Sequence, residues 1–412
     1  MNVLHVVQRY PPAIGGAETW CAGLARWQVA QGHAVEVLTL RAIHDDELWG
    51  DRDPRPLPTA VGASDRDQGV DVSRCEVAPP VGPAFQRLLD LAGLPTFTRT
   101  NSPELYGRLL RRVRHADIVH AHAVPGPHAF MAWIVSRVAR RPFVLVPYFH
   151  AGQPQHEQRA VRALLRRADA VIAITEAEEA ALVARGVAAS RITRASNALD
   201  QSALAPPAAA LGEVRAALRV PAGSPLVAFV GRKHRTKDLD VLLAAMPLVR
   251  HRPMPVLALA GPSTSWFEQL KRRAPLENVR DVPAVSEGAK MALLAAADAL
   301  VLPSREEAFG MVFLEAWSAG TPVLGADIPT VREVIGDGGL TFRAGDPFHL
   351  AARIDELLAG TRSADLVARG RARMTALHTW SRVGHAVHAA YASAATNRPA
   401  RRPAFRRGWS CG

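Results

Sequence analysis

Short apolar runs alternate with helix-length segments along most of the chain, and the series runs twice. Val3–Val7 is apolar and β-branched; the Pro/Gly loop YPPAIGGAE follows, then a helical pattern from Ala17 to Gln31 stopped by Gly32, then a second run at Ala34–Leu40. Continuous apolar runs of this length read as strands covered on both faces, and strand–helix–strand order reads as a parallel sheet. The rhythm resumes with strands at Asp117–His120, Phe143–Pro147 and Ala170–Ile174, and helices at Pro127–Ala139, Gln155–Arg167 and Glu176–Arg185. It breaks at SNALDQSALAPPAAALG, an Ala/Pro-rich stretch that places a domain boundary near residues 200–212. It then restarts, with strands expected at Leu226–Val230, Val256–Ala260, Asn278–Val282, Ala299–Leu302 and Pro322–Gly325, and helices at Leu239–Val249, Trp266–Arg273, Gly288–Ala297 and Gly310–Ala319. Helical segments run on from Phe348 to about Ala395.

A chain of 412 residues is too long for one ordinary core and suits two such units. The expected class is α/β, two doubly wound halves facing a cleft. The halves are residues 1–200 and 201–379. His44–Thr100, rich in Pro, Asp and Gly, is read as an excursion from the first sheet, and the Arg/Pro tail over 397–412 as disordered or a surface arm.

With 48% apolar and 21% charged residues, most of the chain should be globular. The formal net charge of +12 favours anionic partners: nucleotide phosphates, anionic lipid or nucleic acid. Three widely spaced cysteines, Cys21, Cys75 and Cys411, argue against a structural zinc site and for a reducing compartment. The N-terminus does not read as a signal peptide, and no run of 18 apolar residues offers a membrane span. The expected location is cytoplasmic.

The cleft end of each sheet carries the chemistry-bearing residues. Gly15 and Gly16 follow the first strand, where a glycine backbone admits an anion or simply turns tightly. His120 and His122 in DIVHAHA, and His150 in VPYFHAG, stand at strand ends, either as site groups or as hydrogen-bonded residues near the core. In VGRKHRTKD a basic loop of Arg232, Lys233, Arg235 and Lys237 follows the first strand of the second half, suited to a diphosphate or to bulk solvent. The sharpest oddity is PSREEAFGMVFLEAWSAGTPVLG. Glu315 lies within a helix-sized apolar run, with Glu307 eight residues earlier. A buried carboxylate needs a polar partner. Hydroxyls of a sugar would serve, as would a neighbouring N–H, and the N–H groups of Phe309 and Gly310 would seat a phosphate.

PSREEAFGMVFLEAWSAGTPVLG resembles the Glu-x7-Glu signature of retaining GT-B glycosyltransferases, family 4 (group 1). YPPAIGGAE resembles the family's glycine loop, DIVHAHA and VPYFHAG its histidine segments, VGRKHRTKD its Arg/Lys loop, and HTWSRVGHAVHAAY its late helix. The likeness spans nearly the whole chain. It implies a GT-B pair of Rossmann-like domains, an acceptor domain first and a nucleotide-sugar domain second, with a helix near 380–396 returning to the first. It implies that Glu315 accepts from ribose hydroxyls, that Glu307 sits by the transferred sugar, that Arg232 and Lys237 steady the leaving diphosphate, and that Gly15 and Gly16 face the donor. His150 would lie near the reacting carbon. His120, His122 and Asn197 are placed on the acceptor or cleft side. Two departures stand out: Ala198 in SNALD where the family has glycine, and Asp238 after Lys237 where it commonly has glycine.

The expected function is retaining transfer of a sugar from a nucleoside-diphosphate sugar to a glycan or lipid-linked acceptor in cell-surface polysaccharide or glycolipid synthesis. No cofactor, metal or nucleic acid is expected. The Arg-rich face at Arg159, Arg162 and Arg166 would suit an anionic membrane surface or open solvent. The alternatives are a sugar-nucleotide epimerase or hydrolase on the same scaffold and a non-catalytic nucleotide-sugar-binding protein.

Overall fold

A computed structural model describes residues 1–13, 15–43, 64–78, 101–199, 208–273 and 277–396. Its first lobe contains β1 (Asn2–Val6), α1 (Gly16–Ala30), β2 (Ala34–Leu40), β3 (Ser64–Asp67), β4 (Val70–Cys75), α2 (Pro103–Arg112) and β5 (Ile118–His122). It continues with α3 (Pro127–Val138), β6 (Phe143–Val146), α4 (Arg159–Arg167), β7 (Ala170–Ala173), α5 (Glu176–Ala184) and β8 (Ile192–Arg194). The strand order is β3-β4-β2-β1-β5-β6-β7-β8, parallel throughout except for the β3–β4 hairpin. The inner strands β5, β6 and β7 are buried at every residue, which is why their sequence is apolar without alternation.

The second lobe holds α6 (Ala208–Ala217), β9 (Leu226–Val230), α7 (Leu239–Ala245), β10 (Val256–Ala260), α8 (Ser265–Arg273), β11 (Val279–Val282) and α9 (Glu287–Ala296). It goes on through β12 (Ala299–Leu302), α10 (Met311–Ala319), β13 (Val323–Ala326), α11 (Pro329–Ile335), β14 (Leu340–Phe342), α12 (Pro347–Leu358) and α13 (Ser363–Leu377). Its sheet, all parallel, is ordered β11-β10-β9-β12-β13-β14. In both lobes the winding reverses beside the first strand, between β1 and β5 and between β9 and β12. Open α/β sheets leave a crevice at that point.

The last helix, α14 (Trp380–Thr396), packs on α1, β6, β7 and β8 of the first lobe. Two glycines permit the contact. A Cβ on Gly23 would overlap the Trp380 ring, and one on Gly384 would overlap Trp27. Each tryptophan fills the notch left by the opposing glycine.

Three boundaries differ from the sequence expectation. The fifth strand runs to His122, two residues further than expected. The excursion from the sheet is interrupted at residues 64–75, where β4 joins β2 in parallel and β3 turns back along the edge. These edge strands are polar on their open face, so they lack the apolar run that marks the others. The helix expected over Leu239–Val249 tightens into a 3-10 turn from Met246, because Pro247 cannot donate. Residues 44–63, 79–100, most of the linker stretch near 200–212 and the basic tail lie outside the described residues.

Candidate active site

Two loops at the switch point of the second lobe face each other. One follows β9 and carries Arg232 to Asp238; the other follows β12 and carries Pro303 to Gly310. Lys237 Nζ pairs with Glu307, and the Arg305 guanidinium forks onto Asp238 at 2.5 and 2.9 Å. Asp238 holds a left-handed conformation, φ 47°, a position where glycine is the strain-free choice and Asp is among the better-tolerated side chains. Burial raises its carboxyl above the usual range, against the pull of Arg305. The departure seen in the sequence at Asp238 is thus half of a clasp between the loops.

Arg232 lies exposed at the start of the first loop. Lys233 does not share in the basic cluster. It is fully buried, paired with Asp281, bonded to the Val282 carbonyl at 2.8 Å and set over the Phe267 ring. Burial pushes its amine down, and Asp281 opposes this.

Gly310 caps α10 in the left-handed region, φ 88°, and a Cβ there would come within 2.7 Å of the Phe313 ring. The first-turn N–H groups of a helix have no partner within it, so the start of α10 presents donors. Phe309 is buried with its ring edge-to-face on His378, centroids 5.3 Å apart. Glu315, one turn into α10, is 8% exposed. Its partner within the protein is a cation, not an N–H: Lys290 of α9 meets Oε1 at 2.7 Å. Burial raises the Glu315 carboxyl even so, while Lys290 pulls it down. Lys290 escaped the sequence reading. Its signal was a lone Lys, three residues after Glu287, in the otherwise apolar helix EGAKMALLAA.

On the first lobe, Gly16 opens α1 with space around it. Gly15 is pressed by its own chain, since a Cβ would overlap the Glu18 carboxylate. Glu18 is buried and pairs with Arg9 at 2.7 Å. The close approach that Gly15 allows is therefore taken by an internal anion.

His150 follows β6. Its backbone N–H donates to His156 Nδ1 at 2.8 Å, and the preceding N–H, of Phe149, donates to Glu178 Oε1 at 2.6 Å. Glu178 Oε2 accepts from Ile174 N at 2.8 Å, so one buried carboxylate clips the ends of β6 and β7 together. Burial pushes that carboxyl up to about 7, although both N–H donors favour its charged form. Thr175 and Glu178 have the spacing of a capping box, a signal available in the sequence. The His150 imidazole is held below its usual pKa by burial. Glu307, across the crevice, opposes this and Lys237 reinforces it. Gln153 Nε2 reaches Glu306 Oε2 at 2.5 Å, tying the two lobes beside this point.

Three expected cleft residues lie elsewhere. His120 and His122 are fully buried beneath the sheet end. Tyr391 of α14 bonds His120 Nδ1 at 2.8 Å, and His5 Nδ1 bonds His122 Nε2 at 2.9 Å. Gln28 joins His5 Nε2 to the Tyr391 hydroxyl at 2.8 and 3.0 Å. Alternation on the longer β5 puts both histidines on the face that α1 and α14 cover, not at the rim. The spacing of His5, His120 and His122 would suit a metal ion, but both nitrogens of His5 and one of His120 are already engaged. Asn197 is also buried; its carbonyl lies 3.2 Å from His378 Nδ1, where the chain passes between the lobes for the first and second time.

Two doubly wound lobes with their strand ends turned to one crevice, a Lys–Glu pair on one wall and a histidine on the other, define a GT-B glycosyltransferase. The model for "Glycosyl transferase 4-like domain" matches residues 15–198, and that for "Glycosyl transferases group 1" matches residues 212–373. The D-inositol 3-phosphate glycosyltransferase of Kineococcus radiotolerans is 28% identical over 95% of this chain and 93% of its own. That of Xylanimonas cellulosilytica is 31% identical over 60% and 63%. Anabaena Alr3699/HepE, solved with UDP and glucose, superposes with a TM-score of 0.74 at 21% identity, covering 95% of this chain and all of that one. The chain belongs to the group 1 glycosyltransferases of the GT-B fold. Among the described residues, no helix is long and apolar enough to cross a membrane.

Proposed function

We propose that the crevice transfers a sugar, with retention, from a nucleoside-diphosphate sugar to a hydroxyl of a glycan or lipid-linked acceptor in the synthesis of cell-surface polysaccharide or glycolipid. The carrying observation is the Lys237–Glu307 pair on the β9 and β12 loops, faced from the other lobe by His150. In this reading Glu315 receives ribose hydroxyls on the oxygen that Lys290 does not hold, and the α10 start at Phe309 and Gly310 seats phosphate. The bond from the anomeric carbon to the diphosphate breaks with its electron pair on the leaving oxygen. The acceptor oxygen bonds to that carbon on the same face and passes its proton to the departing phosphate. Arg232 and Lys237 balance the charge that grows there, work a divalent cation does in other transferases. Glu307 holds the transferred sugar, and Gly16 keeps the opposite wall open. That a relative in solved form carries UDP and glucose supports a nucleotide-sugar donor.

A panel of nucleotide sugars, with and without EDTA, tests donor and metal together by thermal shift. One donor should raise Tm, and EDTA should leave the rise intact. Glu315→Ala should abolish the shift, while Arg232→Ala should keep part of it and lose turnover. A shift that disappears with EDTA, or survives Glu315→Ala, would refute these assignments.

The same proposal seats the enzyme on anionic lipid through α4. Arg159, Arg162 and Arg166 line a groove of about 570 Å³ with Arg185. Glu157 pairs with Arg162 and Arg185 and neutralises part of that charge. Sedimentation with vesicles of zwitterionic lipid alone, or with anionic lipid added, should show binding to the second only.

A further inference from the structure

A second recess opens on the first lobe beside His150. It holds about 380 Å³ and lies at the carboxyl ends of β1 and β5, lined by Gln8, Ala123 to Gly126, His128, Gln155, His156 and Gln158. That volume falls in the range of small-molecule sites, roughly 300–1,000 Å³. It is the switch point of this sheet, where a ligand is expected. It also adjoins the proposed reaction centre: His156 accepts from the His150 N–H, and the two rings are 5.4 Å apart.

Three of its lining side chains hold buried polar atoms with no hydrogen-bond partner among the described residues: Gln8 Nε2, Gln158 Oε1 and His128 Nδ1. The His128 tautomer follows from its other nitrogen. Nε2 lies 2.6 Å from the His122 carbonyl and must carry the proton, so Nδ1 is an acceptor. The recess thus assembles an amide donor, an amide acceptor and an imidazole acceptor. Buried polar atoms are normally matched by protein, water or a ligand, and three that line one recess offer a ligand its partners. Among the described residues no Lys or Arg lines the recess, and burial holds both His128 and His156 down at about 4, so neutral imidazoles face it at pH 7.

We propose that this recess binds the acceptor, and that the part it takes is an uncharged, hydroxyl-rich ring: a neutral sugar or polyol rather than a phosphorylated one. Hydroxyls both donate and accept, which matches the mixed set of unmatched atoms. A phosphate is an acceptor that wants cations, and its desolvation here would go uncompensated. This rests on the glycosyl-transfer reading above and gives it a substrate class, one that differs from the phosphorylated inositol named for the relatives.

Saturation-transfer NMR on the full chain, without donor, compares glucose, galactose, mannose and myo-inositol with their monophosphates. At least one neutral compound should bind at least tenfold more tightly than its monophosphate. Gln8→Met and Gln158→Met, each of near-native size, should weaken that binding about tenfold while keeping Tm and the donor-induced shift. Binding of none of the neutral compounds, preference for a monophosphate, or full binding by both variants would overturn the proposal. A chain that binds a nucleotide sugar but no neutral ring refutes this recess alone. One that binds the ring but no nucleotide sugar refutes the donor reading alone.

Discussion

A carboxylate in an apolar helix acquires meaning from what meets it. Glu315 and Lys290 form a pair with side chains only 11% and 14% exposed. Lys290→Met removes the cation and leaves the acid in an environment that already raises its pKa. Without the cation the carboxyl is raised further, so as pH falls the donor-induced thermal shift should be lost at a higher pH in the variant than in the native chain. A shift with the same pH dependence in both chains would count against a charged Glu315 as the hydroxyl acceptor. At Glu307 the neutral isostere isolates charge from shape. Glu307→Gln should cut turnover by about 10²-fold, the scale of one lost electrostatic contact in a transition state, with less effect on donor binding. Steady-state kinetics on the identified donor measure it. An unchanged kcat would remove Glu307 from the reacting centre.

Elements act through what holds their ends. Glu178 is the link between α5 and the loop bearing His150. Its folded pKa of about 7 stands above the usual carboxyl value, so the unfolded chain loses this proton first as pH rises. The stability it contributes therefore declines from the ordinary carboxyl range up to pH 7 and is level above it. Its effect on the loop has the opposite sign: below about pH 7 the carboxyl is protonated and one of its two N–H donors loses an acceptor. Glu178→Gln sets an NH2 against one of those donors permanently. Turnover should fall at every pH, and the limb below pH 7 that belongs to Glu178 should vanish from the profile. The α1–α14 contact makes a second prediction. Gly384→Ala drives a methyl into Trp27, and overpacking of this kind costs about 1–3 kcal/mol. Urea denaturation should register that loss, whereas Gly16→Ala, where nothing lies within 4 Å of the added carbon, should be nearly neutral at the level of packing.

Across the whole molecule, the feature with the largest solution signature is the imidazole cluster beneath the first sheet. Burial holds His5 and His128 down at about 4, and it lowers His120 and His122 further from their usual value. Their folded pKa values lie below the unfolded ones. Their contribution is complete above the ordinary histidine value of 6.5 and is lost as pH falls toward 4, since the unfolded chain binds protons first. Tm should be flat between pH 7 and 8 and drop by roughly 5 °C or more by pH 5. A Tm that holds steady from pH 7.5 to 5 would mean these rings are not buried as described. Because Tyr391 bonds His120 and Gln28, the same network fastens the last helix to the first lobe. Acid should loosen both together.

The twin α/β frame was legible in the chain because strands covered on both faces must be apolar, and short apolar runs between helix-length segments have few other homes. The glycine loops, the basic loop after β9 and the Glu-x7-Glu stretch were legible for a related reason: each breaks the local pattern at a strand end. What the chain could not show was which charges meet. Lys237 and Glu307 are 70 positions apart, Asp238 and Arg305 67, and Lys290 and Glu315 25. Two residues of strand also decide where a histidine lies. Because β5 runs on to His122, both His120 and His122 stay within the sheet, on the one face that the helices cover, instead of standing past its end in the crevice. Local pattern determines that a segment is a strand or a helix; only the packing of distant segments determines which face is dry, which acid has a cation, and which polar atoms are left waiting for a ligand.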